Sequence, residues 1–253
     1  MSQPREREKH SALRSELGRS LALASLAGAG MLLILDGPGP EMMISLVAWA
    51  FYAAVVYRAA VRAGLPGFGW AHRVTLLRGL LMALLVPALL APERRPWLPL
   101  LLGGTALVLD GIDGPIARRT RSASAFGARF DMETDALTVL MLSALVAAQG
   151  RVGLWVLTSG ALRYLYVAAG WVWPWLRRPV PPSFARKLVC ALQIAGLLAA
   201  LTPILPQPWP AAIAAASLAL LIWSFGRDVL GLMRGKGMAE SPAAPYLPYE
   251  GSV

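Results

Sequence analysis

The chain has 253 residues, of which 57% are hydrophobic and 15% are charged, and its mean hydropathy is +0.55. Soluble domains carry about 25% charged residues, so this composition excludes an ordinary water-soluble domain and indicates a polytopic membrane protein. The formal net charge of +10 is typical of basic loops between membrane spans, and we expect no nucleic-acid partner. The single cysteine, Cys190, excludes an intrachain disulfide and a cysteine-based metal site.

Apolar segments separated by breaks rich in Pro, Gly and Arg predict eight transmembrane helices and an all-α fold. The predicted spans lie near residues 20–35, 42–57, 74–91, 97–113, 132–149, 152–173, 187–205 and 209–225. Several are shorter than the roughly 20 residues of a straight span. Their flanking polar turns are therefore expected at the membrane interface.

The distribution of Lys and Arg predicts the orientation of these spans. With the N-terminus inside, twenty of the 24 basic residues fall on the cytoplasmic side. The opposite side holds Arg94, Arg95 and Arg151, and Arg163 falls in mid-span. We therefore expect a multi-pass protein of the cytoplasmic (inner) membrane with both termini in the cytoplasm. The tail after Lys236, rich in Pro, Ser and Gly, is predicted to be disordered.

Four aspartates flank the break between the fourth and fifth spans. At about 100° per residue, Asp113 lies about 60° from Asp110 on one helix face. The same face carries two residues with almost no side chain and one cation, namely Gly114, Ala117 and Arg118. One stripe of the fourth helix thus combines carboxylates, open space and a positive charge.

The fifth helix carries a matching stripe. Gly127, Asp131 and Asp135 follow one another in steps of about 40°. Because the fourth and fifth helices form a hairpin, the two stripes can face each other. Solvated helix caps would explain one such aspartate, but four clustered carboxylates at a membrane edge repel one another unless cations neutralise them.

This set of side chains predicts a metal-assisted phosphate site. Hard divalent cations such as Mg²⁺ take oxygen ligands and complete their shell with water and substrate phosphates. Glycine and alanine leave room for a flat ligand to approach the backbone, and an arginine supplies charge to a phosphate. The pattern suits two metal ions gripping a diphosphate.

The stretch from Asp110 to Asp135 resembles the signature of the CDP-alcohol phosphatidyltransferase family, D-x2-D-G-x2-A-R-x8-G-x3-D-x3-D, and matches it at every fixed position. The resemblance implies a six-helix transmembrane core, homodimeric, with its site open to the cytoplasm. We expect this core at residues 72–230. Residues 1–71 would form an N-terminal cytoplasmic segment and two accessory transmembrane helices, and residues 231–253 a disordered cytoplasmic tail.

The resemblance also implies roles for single residues. Two Mg²⁺ or Mn²⁺ ions would be held by Asp110, Asp113 and Asp131. Asp135 would be the catalytic base toward the acceptor hydroxyl and would also contact a metal ion. The CDP pocket would be lined by Gly114, Ala117, Arg118 and Gly127.

Two weaker clusters accompany the signature. Thr75 and Arg78 resemble part of the family pattern N-x-x-T-x-x-R and would contact CDP, although His72 stands where the asparagine is expected. The alternative is that Thr75 caps a helix and Arg78 reaches to the interface.

A further set of polar residues predicts an acceptor site, because an intramembrane arginine indicates function. The candidates are Arg163, Ser183, Arg186 and Lys187. The three at the start of the seventh helix are equally explained as cytoplasmic anchors.

The resemblance implies a transferase of phospholipid biosynthesis. Its partners would be a CDP-activated lipid, a small alcohol and membrane lipids. It would move a phosphatidyl group from CDP-diacylglycerol to an alcohol, with glycerol 3-phosphate the favoured acceptor, and release CMP. Three alternatives stay open: transfer of a CDP-alcohol head group to diacylglycerol, ion or proton transport through membrane carboxylates, and a non-catalytic lipid-binding relative.

Overall fold

The structure is a computed structural model that describes the backbone of residues 3–35, 39–65, 67–119, 124–178, 180 and 183–234. Within the helices, the side chains of residues 3–14, 32–35 and 113–119 lie outside the described part. Most of the tail predicted to be disordered, residues 235–253, also lies outside it.

The described residues form eight α-helices and no strand, which confirms the all-α prediction. The helices are α1 (Gln3–Leu35), α2 (Pro40–Arg62), α3 (Trp70–Leu84), α4 (Leu98–Arg119), α5 (Ala125–Ala148), α6 (Leu157–Val172), α7 (Phe184–Leu201) and α8 (Trp209–Met233). Short 3-10 turns at Val86–Leu89, Leu154–Val156 and Pro174–Arg177 adjoin α3 and α6.

Four of the described helical segments are long and apolar enough to cross a membrane. They are Pro40–Arg62, Trp70–Leu89, Phe184–Leu201 and Trp209–Met233. Helix α5 is also long, at 24 residues, but it carries the acidic residues of the signature. The chain is thus a polytopic membrane protein whose charged residues are concentrated in particular helices.

Several helices extend beyond the apolar segments that predicted them. Helix α1 begins at Gln3 although its apolar run begins near residue 20, and α5 begins at Ala125 rather than near 132. Arg, Glu, Lys, Ala and Leu are all good helix formers. A polar stretch rich in these residues therefore continues the helix out of the apolar region, across Gly18 in α1 and Gly127 in α5, and hydropathy alone places its end too early.

Helix α3 lies at the centre of the bundle. It packs against α2, α4 and α5, and every side chain from Leu80 to Leu85 is buried. Helix α7 packs against α4, α5 and α8, whereas α6 packs mainly against α5. Helices α1 and α2 lie against each other and against α3. Helix α5 consequently lies among α3, α6 and α7.

Arginines tie the loops together at the bundle end opposite the signature. Arg94, after α3, forms an ion pair with Glu41 at the start of α2. Arg151, after α5, donates hydrogen bonds to the carbonyl oxygens of Thr202 (2.7 Å) and Leu205 in the α7–α8 connection. These basic residues, exceptions to the charge bias, thus have structural partners.

Candidate active site

Three aspartates of the signature meet between α4 and α5. Asp110, Asp131 and Asp135 each offer a carboxylate oxygen, and these oxygens all lie within 4.8 Å of one another. Asp131 and Asp135 are one turn apart on α5 and so project on one side of it. The facing stripes predicted from helical periodicity therefore exist at these three positions.

The remaining residues of the signature on α4 follow Asp110 along the same helix. The backbone is helical through Arg119. The side chains of Asp113, Gly114, Ala117 and Arg118 lie outside the described residues, as does the connecting segment 120–123. Their helical positions place them beyond Asp110, toward the α4–α5 connection.

Arg78 of α3 lies among the three carboxylates. Its Nη1 is 2.7 Å from Asp131 Oδ1 and 3.0 Å from Asp110 Oδ1, and its Nη2 donates to Asp135 Oδ1. The arginine is fully buried, whereas the aspartate side chains keep part of their surface exposed. The guanidinium fork can donate in several directions at once, which suits it to holding three acceptors.

The structural roles considered for Thr75 and Arg78, a helix cap and an interfacial arginine, are not observed. Thr75 Oγ1 donates to the carbonyl oxygen of Ala71 at 3.1 Å within the helix, so it does not cap α3. Arg78 turns inward to the carboxylates and does not reach the interface. The sequence singled out Arg78 as a CDP contact, which stays a prediction, and its contact with the aspartates has no signal in the local pattern.

The cluster leaves an excess of negative charge. Three carboxylates face the single guanidinium of Arg78, and an excess of negative charge is costly near apolar helices. The donors are carboxylate oxygens, the ligand type that Mg²⁺ prefers. Ligand oxygens around Mg²⁺ are at most about 4.2 Å apart, given metal–oxygen distances of about 2.1 Å. A separation of up to 4.8 Å therefore needs little closure, and the residues fit a divalent cation.

Helix α7 contributes two more residues beside the carboxylates. Cys190 Sγ lies 3.9 Å from Asp135 Oδ2. Lys187, three residues earlier, is close enough to interact electrostatically with Asp110. Lys187 was predicted to bind the acceptor, and in the structure it lies toward the cluster of three aspartates. Cys190 has no predicted role, and only the packing of α7 on α5 reveals its position.

His72 joins the beginnings of α3 and α5. Its Nδ1 accepts a hydrogen bond from the Gly69 backbone at 3.2 Å, and its Nε2 lies 3.3 Å from Ser124 Oγ. Ser124, the N-cap of α5, accepts from the Gly127 backbone at 2.9 Å. A Cβ on Gly127 would lie 2.9 Å from His72 Nε2 and 3.1 Å from Ser124 Oγ. A side chain at position 127 would therefore force His72 or Ser124 to move.

The predicted acceptor arginines are each paired with a carboxylate that sequence reasoning missed. Arg163 Nη2 lies 2.7 Å from Glu133 Oε1, and Arg186 Nη1 lies 3.3 Å from Asp228 Oδ2. Because a charge within a membrane needs a partner, the position of Arg163 could have predicted a nearby carboxylate, which is Glu133. Asp228 was not predicted as a partner because the predicted last span ended at residue 225, whereas α8 continues to Met233.

Ser183 occupies the N-cap position of α7, and its side chain makes no capping hydrogen bond there. Arg186 and Lys187 follow within the first turn. These residues do not join the contacts of the aspartate cluster as a group. Lys187 interacts electrostatically with Asp110, whereas Arg186 forms an ion pair with Asp228 of α8.

The family model described as CDP-alcohol phosphatidyltransferase matches residues 68–223, which is more than half of the chain. The matched range begins after α2 and includes Arg78 and the three clustered aspartates. No curated protein and no solved structure matches the chain.

Proposed function

Because the chain belongs to the CDP-alcohol phosphatidyltransferase family, we propose that it transfers a phosphatidyl group from CDP-diacylglycerol to an alcohol and releases CMP. The observation that carries this proposal is the cluster of Asp110, Asp131 and Asp135 around Arg78. The family consists of membrane transferases of phospholipid synthesis, and this cluster has the charges and donors that a diphosphate substrate requires.

The metal-binding residues in this proposal are Asp110, Asp113, Asp131 and Asp135, holding two Mg²⁺ or Mn²⁺ ions. When bound, such ions neutralise the diphosphate and polarise the phosphoryl group under attack. The support is the all-oxygen donor set and its compact spacing. Arg78 keeps the three like-charged carboxylates together, so the site is organised before other cations or substrate arrive.

The nucleotide end of the donor lies against the small residues of the signature. Gly114 and Ala117 carry almost no side chain, and Thr75 lines the same end. Gly127 adds a third small residue, although His72 and Ser124 occupy the space beside its Cα. Arg118 places positive charge beside the diphosphate, where a guanidinium pairs with phosphate oxygens in a bidentate manner. Arg78, held by the three carboxylates, adds positive charge nearby. The assignment of Gly114, Ala117, Arg118 and Gly127 follows the family signature, and that of Thr75 and Arg78 follows the partly matched N-x-x-T-x-x-R pattern.

The chemical step is a direct displacement. Asp135 accepts the proton of the acceptor hydroxyl, and the acceptor oxygen forms a bond to the phosphorus that carries diacylglycerol. The bond from this phosphorus to the bridging oxygen breaks, and CMP leaves with the electron pair. Ser124 lies beside His72, but Nδ1 of this histidine accepts from the Gly69 backbone, so its Nε2 carries the proton and cannot activate the serine. Because the described residues show no other serine or cysteine hydrogen-bonded to a histidine, a covalent enzyme intermediate is not invoked.

Glycerol 3-phosphate is the proposed acceptor. Arg163 and Arg186 lie on α6 and α7 beside the site helices, and Lys187 lies toward Asp110. Glu133 and Asp228 hold the two arginines in place. A phosphate monoester, with up to two negative charges, competes well for such arginines, whereas an uncharged alcohol does not.

We propose the cytoplasmic face of the inner membrane as the setting of this reaction, and a homodimer as its assembly. The support for the orientation is the excess of Lys and Arg on the side of the signature hairpin. The homodimer rests on the family alone.

Release of CMP by the purified full-length protein tests the function. CDP-diacylglycerol with glycerol 3-phosphate and Mg²⁺ should give CMP and a phosphatidylglycerol phosphate, and excess EDTA should stop the reaction. Serine, glycerol and inositol phosphate serve as competing acceptors, and CDP-choline with diacylglycerol tests the opposite direction of transfer. Turnover only with CDP-choline would reverse the donor, and full activity in EDTA would refute the metal-dependent mechanism.

A further inference from the structure

Tyr52 connects the N-terminal helix pair to the carboxylate cluster. It lies on α2, outside the residues that match the family model. Its Oη is 3.1 Å from Oγ1 of Thr134, a buried residue that immediately precedes Asp135 on α5. A residue of the accessory part of the chain thus contacts the helix that carries two of the three clustered aspartates.

The direction of this hydrogen bond follows from the protons available. Thr134 has one hydroxyl proton, which it donates to the carbonyl oxygen of Phe130 at 2.9 Å. Tyr52 is therefore the donor, and Thr134 Oγ1 is the acceptor. This contact fixes the phenol against one turn of α5, the turn between Asp131 and Asp135.

The other side of the tyrosine ring lies against Gly79, the residue after Arg78. A Cβ at Gly79 would lie 2.1–2.3 Å from Tyr52 ring carbons and its Oη. No side chain can share this space with the ring, so α3 has glycine here because the tyrosine comes so close. The phenol ring consequently fills the gap between α3, which carries Arg78, and α5.

Tyr52 is held in this gap by aromatic neighbours. Its ring is 6.0 Å from Trp49 on α2 and 6.5 Å from Phe130 on α5, within the range of favourable aromatic pairs. Trp49 Nε1 donates to Ser25 Oγ of α1 at 2.8 Å. Both N-terminal helices therefore support the position of the ring.

We propose that Tyr52 is a positioning residue for the carboxylate cluster. It sets the spacing between Arg78 and the Asp131/Asp135 pair, which makes the N-terminal helix pair part of the catalytic unit. The carboxylates lie on the face of α5 next to Thr134, since Asp131 and Asp135 are about 60° and 100° from it around the helix. Loss of the ring lets α3 and α5 shift and moves both carboxylates relative to Arg78. This inference rests on the proposed function, in which these aspartates hold divalent cations.

Full-length Tyr52→Phe and Tyr52→Ala variants in detergent test the inference. Binding of Mn²⁺ is measured by electron paramagnetic resonance, and the Mg²⁺ concentration for half-maximal CMP release is measured separately from kcat. Loss of residues that orient metal ligands typically costs about 10- to 100-fold in metal affinity or activity. We expect weakening in that range for Tyr52→Ala. For Tyr52→Phe, which keeps the ring and loses one hydrogen bond, we expect about 3- to 10-fold.

Tyr57→Phe and Tyr57→Ala are the matched controls. Tyr57 lies on the same helix and is exposed, so both substitutions should leave Mn²⁺ affinity and kcat unchanged. A second test uses Gly79→Ala, whose methyl group would collide with the ring. Gly79→Ala should weaken Mn²⁺ binding, and adding Tyr52→Ala should recover part of that loss because the obstacle is gone.

The outcomes separate this inference from the proposed function. Wild-type Mn²⁺ affinity and turnover in Tyr52→Ala would overturn the inference and leave the function standing. A wild-type protein that binds Mn²⁺ but releases no CMP would refute the function, and the Mn²⁺ affinities would still decide the role of Tyr52. Should Tyr52→Ala fail to fold, Tyr52→Phe and Gly79→Ala decide, and unchanged Mn²⁺ affinity in both overturns the inference.

Discussion

The three clustered carboxylates differ in their surroundings. Asp135 lies one turn further along α5 than Asp131 and is the carboxylate next to Cys190 of α7. Asp110 comes from α4 and is the one near Lys187. Asp135 is thus the innermost of the two on α5, where an acceptor passing the diphosphate would meet it. We therefore expect Asp135 to act in the chemical step and Asp110 to act in metal and donor binding.

Asp135→Asn should abolish turnover while leaving much of the CDP-diacylglycerol binding intact. Asparagine has the same size but cannot accept the acceptor proton, and loss of a general base typically costs about 10²- to 10⁴-fold in rate. Donor affinity and CMP release, measured on the same preparation, check this expectation. Near wild-type turnover with every acceptor would remove Asp135 from the chemical step.

Asp110→Asn provides the comparison for Asp135→Asn. It removes one negative charge from the cluster without touching the proposed base, so donor binding itself should weaken. If Asp135→Asn loses donor binding as severely as Asp110→Asn, the main role of Asp135 is to hold a metal ion.

Arg78→Ala should destabilise the protein chiefly when divalent cations are absent. The substitution leaves three neighbouring carboxylates without their guanidinium, and breaking such a buried charge network costs on the order of 3 kcal/mol. Saturating Mg²⁺ should recover most of this loss, because cations replace the missing charge. Unfolding in detergent with EDTA and with Mg²⁺ measures both effects.

Arg94→Ala is the matched control for Arg78→Ala. Arg94 also pairs with a carboxylate, Glu41, but its side chain is 64% exposed, and exposed ion pairs contribute about 0–1 kcal/mol. Equal losses for Arg78→Ala with EDTA and with Mg²⁺ would contradict a charge-balancing role for Arg78.

A hydrogen-bonded contact between His72 and Ser124 connects the beginning of α5 to the beginning of α3. Ser124 caps α5 by accepting from the Gly127 backbone, and His72 reaches the same hydroxyl from α3. The cap sets where α5 starts, and hence the register of Asp131 and Asp135 relative to the end of α4. Local capping and the geometry of the site are therefore linked through one serine.

Ser124→Ala should lower the free energy of unfolding by about 1 kcal/mol, the usual cost of removing a helix N-cap. The same variant should raise the Mg²⁺ requirement for CMP release, because the first turn of α5 loosens. Ser122→Ala, two residues before the cap position, is the control. Equal stability of the two variants would show that the Ser124 hydroxyl does not support α5.

The connections at the two ends of the helical bundle differ in their content of Lys and Arg. Both termini and the α4–α5 connection are expected to face the cytoplasm, because Lys and Arg concentrate on that side. Cysteines placed at Ser122 and Ser241 in a Cys190→Ala background should resist an impermeant thiol reagent in intact cells and react after lysis. Labelling of the Ser122 position in intact cells would reverse the orientation.

Glu93→Cys supplies the positive control for this experiment. Glu93 is exposed in the connection between α3 and α4, at the bundle end opposite the signature. It should react with the impermeant reagent in intact cells. Protection of the Glu93 position together with labelling of the Ser122 position would place the proposed site on the outer face.

The amino-acid sequence by itself determined the class, the number of helices and the identity of the central motif. Hydropathy predicts helices because the bilayer requires each span to bury its backbone polar groups and expose apolar side chains. The signature at residues 110–135 predicts the family and the meeting of Asp110 on α4 with Asp131 and Asp135 on α5, since its spacing is local along two consecutive helices. It does not predict that α4 packs mainly against α3 and α7. Helix ends were predicted less well, because polar helix formers extend α1 and α5 beyond the apolar runs.

Only the tertiary structure decided which residues surround the aspartates. Arg78 is 53 and 57 positions from Asp131 and Asp135, and Tyr52 is 82 positions from Thr134. Such contacts depend on which faces of α2, α3 and α5 pack together, and on the space left by Gly79 and Gly127. Helical periodicity specifies the faces of each helix but not their partners, because several apolar faces can pack with similar free energy until the side chains interlock.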